Sequence, residues 1–147
     1  MRMSLNVWLN KGWLVKHRSN RREISDLLAI ADRDIADAQV ESLSTDTRLS
    51  VAHNAALQLS IAALIASGYR PSRDAYHYRA IQSLEFTIGA SKDLIDQLDA
   101  FRMKRNISDY ERSGAISDQE ADEMFQLAVE LRETVITWLK KHYPKLV

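Results

Sequence analysis

Residues 44–71 read STDTRLSVAHNAALQLSIAALIASGYRP. Ser44, Thr45 and Asp46 offer capping side chains, and from Leu49 onward the apolar residues surround most of a helical wheel instead of keeping to one stripe. A helix apolar on most sides has to be wrapped by other elements. Gly68 supplies a left-handed stop and Pro71 follows three residues later, so this stretch predicts one central, buried helix with a sharp end.

Upstream of it, Asn20 or Ser19 can cap a helix, Glu23 stands three residues after Asn20, and Ile24, Leu27, Leu28, Ala31, Ile35 and Ala38 repeat at helical spacing. That pattern predicts an amphipathic helix from Arg21 to Glu41. Before it, Val7, Trp8, Leu9, Trp13 and Leu14 form a short helical or irregular segment interrupted by Gly12 and closed by Lys16-His17-Arg18. Residues 1–20 are expected to pack on the body as an extension, stapled by the two tryptophans.

Downstream, Ser72 and Asp74 can open a fourth helix running through Ile81, Leu84 and Ile88 to Gly89, and Ser91 can cap a fifth that carries Leu94, Leu98 and Phe101. Ser117-Asp118-Gln119-Glu120 is a capping box for a last helix, whose Met124, Ala128, Leu131, Val135 and Leu139 hold one face to near Tyr143-Pro144. No internal repeat or alternating strand pattern is present, and short connections favour antiparallel neighbours. The expected fold is all-α, an antiparallel up-and-down bundle of about five helices forming one domain over residues 1–147.

Composition narrows the chemistry. With 46% hydrophobic and 27% charged residues, the chain is neither disordered nor fibrous. The absence of cysteine removes disulfide and thiolate chemistry, and four scattered histidines do not make a common zinc site, so no metal and no cofactor are expected. Asn6, Asn10 and Lys11 break the apolar start, which predicts neither a signal peptide nor a membrane anchor and a cytoplasmic location. Twenty basic residues against twenty acidic ones leave no global field, so any nucleic-acid contact must be local. Lys16, Arg18, Arg21 and Arg22 read as a solvated helix start. Glycine-rich phosphate loops, nucleophile elbows and metal-binding helix motifs are all missing.

One constellation remains. The fifth helix ends in Phe101-Arg102-Met103-Lys104-Arg105-Asn106-Ile107-Ser108-Asp109-Tyr110, and a step of about 100° per residue brings positions 98, 101 and 105 back near the direction of Leu94. Arg105 therefore lies on an apolar stripe, where a buried charge requires an internal partner such as Asp109 at i+4, or an opening onto a cleft or subunit interface. His53, within the apolar third helix, reads as a hydrogen-bonded core or interface residue beside Asn54. Tyr76-His77-Tyr78-Arg79 suits base stacking and phosphate contact as well as it suits surface packing.

Arg105-Asn106-Ile107-Ser108-Asp109-Tyr110 resembles the signature of the HEPN family, in which an arginine and a polar residue are followed, four to six positions on, by histidine; here Tyr110 fills the histidine place. The similarity extends through Gly12-Trp13-Leu14, residues 51–58, Gly68-Tyr69-Arg70-Pro71 and residues 117–123. It implies a helical bundle that dimerises so that two signatures share a cleft, acting on RNA or nucleotides, either as a metal-independent ribonuclease or as the partner of a nucleotidyltransferase or antitoxin in a toxin-antitoxin or stress-defence module. It further implies that Arg105 neutralises a phosphate, that Asn106 orients it, and that Tyr110 donates a hydrogen bond, since a phenol with a reference pKa near 10 is a poor base at neutral pH. Arg102, Lys104, Asp109 and His77 follow as substrate-binding candidates. A purely structural bundle, with Arg105 in an ion pair, is the alternative that needs no ligand.

Overall fold

The computed structural model describes residues 3–110 and 116–147, with residues 107–110 described as backbone only. In chain order the elements are α1 (Leu5–Asn10), β1 (Leu14–Lys16), α2 (Arg21–Ala38), α3 (Thr45–Ala66), β2 (Tyr69–Pro71), α4 (Tyr76–Gln82), α5 (Lys92–Tyr110) and α6 (Asp118–His142), with 3-10 turns at Ser83–Glu85 and Pro144–Leu146.

The helix apolar on most sides became the hub. Every residue of α3 from Leu59 to Ala66 is buried, and α2, α4, α5 and α6 all pack against it. By length and hydropathy α3 could cross a membrane, but 78% of that apolar stretch is buried inside this fold. Ser44 caps it as expected, its Oγ accepting from the Thr47 N–H at 3.1 Å, and Gly68 leaves it at φ +99°, a conformation that an L side chain resists.

Polar contacts fix the directions of the helices. Arg48, near the start of α3, donates to the Ala38 carbonyl at the end of α2 (3.0 Å), and Asn54 donates to Asp34 (2.7 Å), so α2 and α3 are antiparallel. Arg48 also pairs with Asp122 near the start of α6 at 2.5 Å, and Leu146, just beyond the other end of α6, shares a hollow with Ile65 and Ala66. Hence α3 and α6 run parallel. Successive long helices do alternate in direction, as an up-and-down bundle requires, but one of the main packing pairs is parallel. Short loops govern only helices adjacent in sequence, whereas a helix apolar on most sides takes any partner that covers it.

Three local expectations are corrected. A small antiparallel sheet pairs Leu14 with Pro71, Val15 with Arg70 and Lys16 with Tyr69, and strands of three residues are too short to show alternation. The fourth helix begins at Tyr76, later than Ser72 or Asp74, and the Ser72 hydroxyl instead ties the chain to the Trp13 carbonyl (3.1 Å). Ala75 turns the chain into α4 at φ 52°, left-handed for a non-glycine residue. The helix then tightens into the 3-10 turn at Ser83 and does not continue to Gly89. At the other end of α2, helix stops at Ala38, short of Glu41.

The N-terminal staple is confirmed. Trp8 is buried and meets Trp13 and Phe86 edge to face at 5.7 and 5.2 Å, while the Arg79 guanidinium lies 3.7 Å from the centre of the Trp13 ring. This cation–π contact ties the first segment to α4.

Candidate functional site

The last turns of α5 carry the predicted cluster, and packing supplies what the helix lacks. Leu98 and Phe101 are buried, and Arg105, one turn further along the same stripe, is half-buried. The stripe thus leaves the core where the arginine begins. Asn106 beside it is exposed, with no side-chain hydrogen bond among the described residues, and Arg102 is half-buried. The side chains of Asp109 and Tyr110 lie outside the described residues.

From α3, His53 reaches under this cluster. Its ring is fully buried, Nε2–H donates to the Leu98 carbonyl at 3.1 Å, and the Nδ1 lone pair has no hydrogen-bond partner. Burial first, and the Arg105 guanidinium second, push its pKa from 6.5 down to about 4, with His77 and Arg102 adding to the effect. The imidazole is neutral across the physiological range and serves as an apolar-side anchor for α5, in keeping with the core reading of this residue. Asn54 does not pair with it; its amide goes to Asp34 on α2 instead.

From α4 come His77 and Tyr78. His77 is exposed, and burial together with the neighbouring Arg105 and Arg102 pulls its pKa below 6.5, so its neutral form dominates at neutral pH. Tyr78, 38% exposed, has the Arg102 guanidinium 5.6 Å from its ring centre and that of Arg79 at 5.9 Å. Arg102 also donates to Asp99 at 2.7 Å, one turn back on α5. An exposed aromatic ring beside two arginines and a neutral histidine can accept a stacked base and the phosphate attached to it.

Lys104 has a different task. Its ammonium is ion-paired with Glu120, whose carboxylate also accepts from the Ser117 N–H at 3.1 Å in the α6 capping box. This pair holds α5 against the start of α6. Of the sequence candidates, the fold brings Arg102, Arg105 and His77 together, places Asn106 next to them, and turns Lys104 to α6.

No family model matches the chain, and no curated protein matches it. Among the described residues no three His, Asp or Glu side chains gather as a metal set.

Asp99 was not singled out in the sequence, and His53 was read there as a core or interface residue and not as a neighbour of this cluster. Asp99 was legible in principle, three residues before Arg102 on a helix. The approach of His53 was not, because it depends on how α3 and α5 pack and not on the spacing within either.

Proposed function

We propose that this chain is a HEPN-like protein that binds RNA or a nucleotide through its phosphate at the cluster His77, Tyr78, Arg102 and Arg105. The supporting observation is the electrostatic coupling of His77 on α4 to Arg105 and Arg102 on α5, with the Tyr78 ring against Arg102. In this reading the protein is a cytoplasmic homodimer and the partner of a nucleotidyltransferase or antitoxin in a toxin-antitoxin or stress-defence module. Binding of labelled single-stranded RNA and of a mononucleotide tests the site: Arg105→Ala weakens both by roughly tenfold or more, the loss of a charge-assisted contact to phosphate. Equal affinity of Arg105→Ala and wild type for both probes rules the site out.

A second reading, metal-independent cleavage of RNA, is favoured by His77 specifically. The α5 signature lacks a histidine, and His77 on α4 is close enough to feel the charge of the same arginine and is neutral at neutral pH. The imidazole would take the ribose 2′-hydroxyl proton, the 2′-oxygen would attack phosphorus, and the 5′-oxygen would leave with a proton from solvent, giving a cyclic phosphate and a free hydroxyl. Arg105 would stabilise the charge that grows on the phosphoryl oxygens. Cleavage in the presence of chelator, lost in both His77→Ala and Arg105→Ala, supports this reading; cleavage retained in Arg105→Ala excludes it.

A further inference from the structure

Residues 14–22 and 69–73 contain six basic side chains and no aspartate or glutamate. The fold joins the two stretches: Val15 pairs with Arg70 and Lys16 with Tyr69 in the sheet, the His17 N–H donates to the Gly68 carbonyl at 2.9 Å, and Ser72 bonds to Trp13. Lys16, Arg18, Arg21, Arg22, Arg70 and Arg73 are all exposed, and none of the six enters an ion pair among the described residues. The nearest acid along the chain from β1, Glu23, is taken by His17 at 2.6 Å. The remaining chain holds fourteen basic against twenty acidic residues, so a net-neutral molecule gathers an excess of positive charge around the β1–β2 ladder and leaves a predominantly anionic remainder.

Arg21 and Arg22 are the first two residues of α2, where the positive end of the helix dipole disfavours cations. Their placement lowers helix stability, and neither enters an ion pair among the described residues. Five of the six are arginine, whose planar fork matches phosphate oxygens two at a time. We propose that this β1–β2 face binds the sugar–phosphate backbone of a polynucleotide by charge, without reading its bases, as a contact additional to the α4–α5 cluster. That one strand reaches both rests on the phosphate-binding reading of the cluster; binding at the face itself does not. Lipid is the poorer fit, because the exposed large hydrophobic residues, Met3, Val40, Tyr78 and Met103, all lie outside these two stretches and give the face nothing to insert.

The test is fluorescence anisotropy with a labelled single-stranded RNA oligonucleotide over a salt series, with a mononucleotide measured in parallel. The variants are Arg70→Glu/Arg73→Glu, Arg21→Glu/Arg22→Glu, Arg105→Ala and, as a control on α6, Lys140→Glu/Lys141→Glu, each checked by thermal unfolding. The expected result is that each reversal on the face weakens RNA binding by roughly tenfold or more and flattens the salt dependence, the signature of fewer neutralised phosphates, while mononucleotide binding stays put. The α6 control binds like wild type. Folded face variants that bind RNA within about twofold of wild type overturn the proposal, whatever Arg105→Ala does. If the face variants weaken binding and Arg105→Ala does not, the face stands and the cluster falls. Tighter binding to vesicles of anionic phospholipid than to RNA at the same salt overturns the assignment to polynucleotide.

Discussion

On the α2–α3–α6 side, Arg48 joins Asp122, Arg132 joins Asp32, and Arg33 with Asn54 surrounds the buried carboxylate of Asp34; on the β1–β2 side, Arg18, Arg21, Arg22, Arg70 and Arg73 enter no ion pair among the described residues. The same side chain is a structural tie in one half of the molecule and a solvated charge in the other. Formal neutrality conceals that division, because net charge counts residues and ignores where the fold puts them.

Breaking the packed half should be costly. Leu98→Ala removes a fully buried side chain where α5 meets the hub, and an expected loss of about 2–5 kcal/mol would be read from urea unfolding. A loss well below that range would mean that α5 docks more loosely than its burial implies.

His53 sharpens the comparison because it links the core to the cluster. The unfolded chain takes up a proton near pH 6.5 while the folded imidazole refuses it until about 4. Stability is therefore full above that upper value and falls as pH drops through the window, by about 3 kcal/mol for this group. Urea midpoints followed down the same window should fall less steeply in His53→Gln than in wild type. Parallel profiles would show that the imidazole does not set the slope.

Asn54→Ala and Arg70→Ala form a matched pair across the divide. The first leaves the buried Asp34 carboxylate short of a donor and should cost about 1–3 kcal/mol; the second removes a solvated charge and should stay within about 0.5 kcal/mol of wild type. Equal losses would erase the distinction between the two halves. The smallest expected effect is a gain: Ala75→Gly relieves the left-handed entry into α4 and should raise the unfolding midpoint by the equivalent of up to about 1 kcal/mol.

The packed half was the legible one. The apolar wheel of residues 49–65 predicted the hub, Asn20, Ser44 and Ser117 each cap the helix they were expected to open, and the Arg105 stripe was correctly phased against Leu98 and Phe101. Caps and periodicity are local, so they survive without knowledge of the fold. The short strands, the parallel α3–α6 pair and the approach of His53 arise between segments far apart in sequence. The Lys104–Glu120 pair shows the same limit, since it is reached across the space between two helices.

The β1–β2 ladder closes a loop of roughly fifty residues that contains the whole α2–α3 hairpin, and contacts that distant in sequence form late and open early. The hairpin can form before the clip shuts, and the clip can release while the hairpin persists. Since Trp13 immediately precedes β1 and holds Arg79 of α4, each opening would loosen the helix that presents His77 and Tyr78. Hydrogen exchange at Val15 and Lys16 should consequently be much faster than in α3, and the lifetime of that three-residue ladder would set how long the cluster stays assembled.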